Sequence, residues 1–429
     1  MSPNKLKQQL SAIPIPSGIR QKSQLGIEQA MLEQQEDSRR KNKRVRRRVG
    51  AIVAALALIF LSTDLMNHNY VWASIQKALQ FVPGIGIVKE EDSSSERYVL
   101  KQPISLNVGE GSIMITGILS DEDMTYITMV GKNTQRFESI TLVSEQGAEY
   151  NLRSSTASWS STEWTSGFWH KGKLNIGGEN IKLIFPLEPT IEVPITLAKA
   201  ETVSSYQDMG ETATANGVSI TAIADRVGEQ ARISFVARHS EDFDISDYGI
   251  YGVHMHDESQ KLYVLNDTGK KVEIEHIRGV SSPASEFYFG LSGKAGGHYT
   301  LSLPEISVTY KDEVSIKVST EAKQLWNQTF EIAGFPVTIT RIEKLKENGL
   351  RVYMDFHYNE EAPASLYNLD IEGFSNVAKL NERTGAIDYI EFEVEPGSKQ
   401  VNLKLIRPGV IMRGPWQFEF AEESFKVGK

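Results

Sequence analysis

His254 and His256, in Gly252-Val-His-Met-His-Asp257, stand two residues apart and could do chemistry together. On a strand, residues i and i+2 share a face, so both imidazoles could meet one metal ion or titrate together near neutral pH. No third ligand follows at a spacing that completes a zinc set, and ordinary edge-strand histidines are the plainer reading. The stretch Asp242-Phe-Asp-Ile-Ser-Asp-Tyr-Gly249 alternates oxygen ligands as a calcium loop does. Asp247, however, occupies the place where an EF-hand loop turns on glycine, which favours a solvated acidic loop. Trp159, Trp164, Phe168 and Trp169 lie in a Ser/Thr-rich segment, residues 154–170. Such amphipathic rings could stack on the sugars of a cell-wall polymer, or a long hairpin could pack its own aromatics. Asp121, Glu122 and Asp123 bring carboxylates together in an expected turn, with no apolar surroundings to raise a pKa.

Enzymatic constellations are missing. There is no Gly-x-Ser-x-Gly elbow, Gly-x-Gly-x-x-Gly turn, Walker loop or His-Glu-x-x-His pair. The absence of cysteine excludes disulfides, cysteine nucleophiles and Cys-based zinc sites. The expectation is therefore a protein that is not an enzyme, with no cofactor and no metal site.

The elements that would position these residues follow from composition. The 429 residues are 40% hydrophobic and 24% charged, enough apolar material for about three domains of ~100–200 residues. The net charge of -9 is uneven, because residues 1–48 carry 12 Lys+Arg against 4 Asp+Glu. Eight of those cations fall within residues 39–48, directly before the uncharged run Val49 to Leu61. Thirteen apolar residues at ~1.5 Å rise reach only ~20 Å of a ~30 Å hydrocarbon core. A span must therefore borrow Val45, the stems of Arg46 to Arg48, and Ser62 to Met66. A cleaved signal, with Val71-Trp72-Ala73 as its site, and a buried soluble helix are the alternatives; the long preceding segment favours an uncleaved anchor over 45–66. The cation bias, with Arg44, Arg46, Arg47 and Arg48 as topology determinants, places the N-terminus in the cytoplasm and the bulk outside. A basic run there meets lipid headgroups, and nucleic acid is not expected as a partner.

In the cytoplasmic arm, residues 1–44, Leu6, Leu10 and Ile13 recur at helical spacing before Ile13-Pro-Ile-Pro16 breaks the pattern, and a second helix candidate carries Ile27. Two short helices cannot build a core, so the arm either stays disordered or folds in a partner's groove. Beyond the anchor, Val71, Trp72, Ile75, Ala78, Leu79 and Val82 suggest an amphipathic helix stopped at Pro83-Gly84, within a juxtamembrane segment 67–92.

The remainder repeats three times. Ile113 to Ile118, Val218 to Ile223 and Val337 to Ile342 share one alternation, and each is followed by a partner strand: Tyr126 to Val130, Arg232 to Val236, Leu350 to Phe356. Corresponding turns are Ser144-Glu-Gln-Gly147, Asn266-Asp-Thr-Gly269 and Glu382-Arg-Thr-Gly385. The fold expected is mainly β: a short helical arm, one transmembrane helix, then immunoglobulin-like sandwiches at 93–200, 201–320 and 321–429. Polar stretches at 200–206 and 319–323 should separate them, with few contacts crossing.

The whole plan resembles a family of Gram-positive single-pass membrane proteins, labelled negative effectors of extracytoplasmic-function sigma factors and built on a domain of unknown function. The resemblance is carried by Ile13-Pro-Ile-Pro-Ser-Gly-Ile19, Gly26-Ile-Glu-Gln-Ala30 and Val71-Trp-Ala-Ser-Ile-Gln-Lys-Ala-Leu-Gln-Phe-Val-Pro-Gly-Ile-Gly86. It covers residues 10–135 and implies an arm that meets a sigma factor, with Leu6, Leu10, Ile13 and Ile27 as its surface, and an outer region that senses the envelope. The other expectation is an anchored envelope structural or adhesion protein.

Overall fold

Alternating burial, residue by residue, sets the architecture: Phe335–Lys344 buries Val337, Ile339 and Ile342 and leaves the residues between them more open. The structure is a computed structural model that describes residues 79–89 and 97–427, except 173, 175–178, 204, 252–258, 277–282, 294–295, 321–323 and 347. The arm with Leu6, Leu10, Ile13 and Ile27, the arginines Arg44 and Arg46 to Arg48, the expected anchor, and His254 and His256 lie outside the described residues. Among the described residues the protein is mainly β, with no α-helix and none long and apolar enough to cross a membrane.

Residues 79–82, the described end of the helix expected over 71–82, are strand instead. Strands β1 (Leu79–Val82) and β2 (Gly86–Lys89) form a hairpin. Pro83 and Gly84, at φ 77°, make its turn, closed by the Ile85 amide donating to Val82 O at 3.0 Å. Proline then glycine at positive φ suits a type II turn as well as a helix stop, and pairing on both edges of β1 decides between them.

The first repeat contains β3 (Tyr98–Val99), β4 (Ile104–Val108), β5 (Gly111–Ser120), β6 (Met124–Lys132), β7 (Ser139–Val143), β8 (Glu149–Trp159), β9 (Glu163–Lys171), β10 (Asn180–Phe185), β11 (Ile191–Thr196) and β12 (Ala198–Lys199). Its sheet runs β11-β10-β7-β8-β9-β6-β5-β3-β12, with β4 also on β5. Only Leu197 separates β11 from β12, so the two ends of the sheet meet and wrap one core of Ile113, Ile127, Trp164, Phe168 and Phe185. Phe137 fills its centre, edge-on to Trp164 at 5.2 Å.

After β13 (Thr202–Val203) the second repeat adds β14 (Glu211–Ala215), β15 (Val218–Val227), β16 (Gln230–Arg238), β17 (Phe243–Asp247), β18 (Tyr263–Asn266), β19 (Lys271–Val272), β20 (Ile274–His276), β21 (Glu286–Gly290), β22 (His298–Tyr310) and β23 (Glu313–Ser319). The third has β24 (Gln324–Ile332), β25 (Phe335–Lys344), β26 (Gly349–Asp355), β27 (Ala364–Ile371), β28 (Asn376–Leu380), β29 (Ile387–Glu393), β30 (Gln400–Ala421) and β31 (Lys426–Val427). One five-strand order recurs: β4-β5-β6-β9-β8, β14-β15-β16-β21-β20 and β24-β25-β26-β29-β28. The three motifs that reveal the repeat in sequence fall on β5, β15 and β25, the second strand each time.

The second and third repeats are not separated at residue 320. β30 pairs along one edge with β23 and then β22, from Gln400↔Ser319 to Ala421↔His298, so the two partners run as one line against it. β27 takes the other edge. The first half of β30 buries odd-numbered Leu403 and Leu405, and the second half buries even-numbered Trp416, Phe418 and Phe420. One hydrophobic core consequently extends from Val218 to Phe425. Of the residues expected to form an open linker, Ser319 and Thr320 are held: Ser319 pairs with Gln400, and Thr320, 2% exposed, donates its amide to Lys399 O. All of this lies within one compact unit, Gln76–Lys429.

Candidate functional site

Of the residues that suggested chemistry in the sequence, the described ones are not brought together. The acidic stretch at 242–249 is largely β17; Asp242 and Asp244 are exposed, whereas Asp247, beyond a bulge, is buried. Asp244 pairs with Lys311 at 3.1 Å, and buried Asp247 accepts the Gly249 amide at 2.7 Å. Among the described residues no group of three or more metal-ligating side chains is assembled. The aromatic segment divides: Trp164 and Phe168 are core residues, whereas Trp159 is 69% and Trp169 41% exposed. The Arg136 guanidinium covers the Trp159 ring at 5.0 Å. Asp121 serves its turn, accepting the amides of Asp123 and Met124 at 2.9 Å and pairing with Arg97 at 3.2 Å.

The arrangement with the most convergent geometry is the seat of the 79–89 hairpin, between the first two repeats. β1 pairs with β2 on one edge and with β13, the connection between those repeats, on the other. Val82, fully buried, joins Val99, Leu119 and Ala200 in a small core of its own. The turn then approaches β5 backbone to backbone. A Cβ on Gly84 would lie 2.3 Å from Thr116 O, and one on Gly117 would lie 2.6 Å from Pro83 O. Only glycine at both positions permits that approach. Beneath it, buried Thr116 donates to Thr128 Oγ1 at 2.8 Å.

On its other side the turn meets the second repeat. The Gly84 amide donates to Glu286 Oε1 at 2.9 Å, and the Ser234 hydroxyl donates to the same oxygen at 2.9 Å. Next to Ser234's strand neighbour Ile233 comes Arg232, 1% exposed. Its Nη2 donates to Asp225 Oδ2 at 2.7 Å and to Lys101 O, in the first repeat, at 3.4 Å. Nε and Nη1 of Arg232 are buried with no hydrogen-bond partner. Burial favours neutral Arg232, but the Glu286 and Asp225 carboxylates outweigh it and hold the guanidinium's pKa above its usual value. Burial also pushes the hydroxyl of Tyr288, paired across the strands with Arg232, up to about 12, a rise the guanidinium moderates. Gln102 adds a direct bond between repeats, Nε2 to Arg226 O at 3.0 Å.

Ser234 is 1% exposed, so no substrate carbonyl can reach its hydroxyl. What the site can do is hold: backbone donors, a shared carboxylate and a buried cation tie three segments together. The sequence marks several of these residues as parts of strands or a helix stop but none as a site. The available signal was Arg232 itself, a charge in the strand Ala231 to Val236, which is buried on both faces.

No family model and no curated protein matches the chain. Among solved structures, the chain is similar to a conserved domain protein from Bacillus anthracis, at 12% identity over 52% of this chain and 82% of that one, with a TM-score of 0.17.

Proposed function

We propose that the chain is a single-pass membrane protein that regulates an extracytoplasmic-function sigma factor negatively through its cytoplasmic arm, with an extracytoplasmic region of immunoglobulin-like sandwiches as the sensor. The observation that carries the reading is one of sequence order: an arm with an apolar stripe, then eight cations within residues 39–48, then the uncharged run from Val49 to Leu61, then the β region. The recurring five-strand order supports sandwich modules, and the seated hairpin supports a firmly held start to the β region.

Two measurements test it. A reporter active only outside the cell should work when fused after residue 92 and fail at residue 38; equal activity at both sites refutes the topology. Leu10→Asp with Ile13→Asp should abolish capture of a sigma factor by the arm and change transcription of its regulon, because coupled folding rests on a few apolar anchors. Neutralising Arg39 to Lys43 should matter far less. An arm that captures no sigma factor leaves the anchored envelope-protein reading, which the exposed Trp159 and Trp169 favour as contacts for a wall polymer.

A further inference from the structure

We infer that the hairpin Leu79–Lys89 is a strap, whose seating and the junction between the first two repeats form one two-state element: when the strap leaves, the junction loosens. The inference goes beyond the sigma-factor reading and stands whatever the arm binds.

A continuous set of contacts carries it. On the first repeat the strap is fixed by the Gly84 to Thr116 approach and by Val82 in its small core. On the second it is fixed by Glu286, whose Oε1 is shared between Gly84 and Ser234. Arg232 shares a face of β16 with Ser234, diagonal across the β16–β21 ladder from Glu286, and reaches back to Lys101 O in the first repeat. One strap residue thus shares its acceptor with the network that joins the two repeats. The alternative arrangement is also built in. Arg232 holds two buried donor atoms without partners, and Glu286, diagonal to it across the β16–β21 ladder, accepts from the strap and from Ser234 on Oε1. When Gly84 leaves, Oε1 keeps only Ser234 as a donor and more of its charge is available to the guanidinium, which compensates part of the cost of opening. Packed polar networks of this kind change between discrete arrangements, and coupling through them is reciprocal. Displacement at residue 79 would in this way reach the repeats.

The chain's lack of cysteine makes the test clean, since a single introduced thiol labels alone. In the full chain, Ser234→Cys places a thiol, at a position 1% exposed, beside the carboxylate that Gly84 shares. Gly84→Ala, which drives a Cβ into Thr116 O, should speed labelling of that thiol by roughly tenfold or more. Should that variant not fold, Glu286→Gln keeps the acceptor's shape, removes its charge and should speed labelling in the same direction. The decisive variant is Gln102→Ala, which weakens the junction through Arg226 O, away from the strap. Reciprocity requires that it too speed labelling, by about threefold or more. A thiol at Ile390→Cys, buried in β29 of the third repeat, should label at its parent rate throughout. Labelling unchanged within about twofold in Gln102→Ala would mean local docking without coupling and would overturn the inference. Equal acceleration at Ile390→Cys would mean global unfolding and would overturn it as well.

Discussion

The Trp416 indole is wholly buried and donates from Nε1 to Val218 O at 2.9 Å, joining residues 198 positions apart. Trp416→Ala should cost about 3–5 kcal/mol, with the Val218 carbonyl losing its donor in addition. Denaturant unfolding followed by the other core aromatics would measure it, and a cost below ~1 kcal/mol would place the indole outside the core. A second expectation concerns alkaline pH. Burial raises the hydroxyl pKa of Tyr288 to about 12, and burial with neighbouring Tyr206 raises that of Tyr248 too. A proton held more tightly by the folded than by the unfolded chain stabilises the fold below pH 10. That contribution, roughly 2–3 kcal/mol for Tyr288, disappears as pH rises from 10 through 12. Phenolate absorbance and circular dichroism should therefore change together above pH 10, and full tyrosine ionisation in a chain that keeps its near-ultraviolet signal would contradict the burial. Residues of this kind are hard to read from sequence, because what buries them comes from far along the chain. Turn residues are the opposite case. Asn266 Oδ1 accepts from the Thr268 and Lys270 amides, and Asn381 Oδ1 from those of Arg383 and Thr384, with Gly269 and Gly385 at positive φ. Those bonds are local, so the turns were legible.

β30 exposes the limit of alternation as a guide. Leu403 and Phe418 both lie in the stretch 321–429 expected to be the third repeat, and period two says which face is buried but not against which neighbour. The hairpin at 79–89 was misread for a related reason: apolar spacing over 71–82 fits a helix until β13 supplies a partner for β1. From the ladder follows an expected effect of truncation. A chain ended after Pro408 keeps the Gln400–Ile406 half of β30 on β23 but removes the partner of β22 together with Trp416, Phe418, Phe420 and Phe425. Each of those aromatics removes ~150–250 Å² from water, worth ~4–6 kcal/mol as an upper bound. The middle repeat, whose own sequence is untouched, should then be digested first, within 211–319, while fragments of the first repeat persist. Preferential loss of the third repeat would refute strand sharing as a main source of the middle repeat's stability.

Among the described residues, three repeats in sequence become two large cores in space, and cooperativity should follow those two. The first core draws its buried residues from Leu100 to Leu197, and the second runs without interruption from Val218 to Phe425. The junction between them is narrower and mostly polar: Glu286, Arg232, Gln102 and the strap. Polar contacts of that size contribute ~1 kcal/mol each, far less than a shared aromatic core, so they couple the two bodies without merging them. Calorimetry of the full chain should accordingly show two unfolding transitions from the β region rather than three. Trp416→Ala identifies the second, because at ~2–4 °C per kcal/mol for a body of ~200 residues it should lower that transition by about 6–20 °C and leave the first nearly in place. Three transitions, with Trp416→Ala moving only the last, would mean that the second and third repeats unfold independently despite the ladder between them. A single transition shifted as a whole by Trp416→Ala would mean that the strap junction is stronger than its few polar bonds account for.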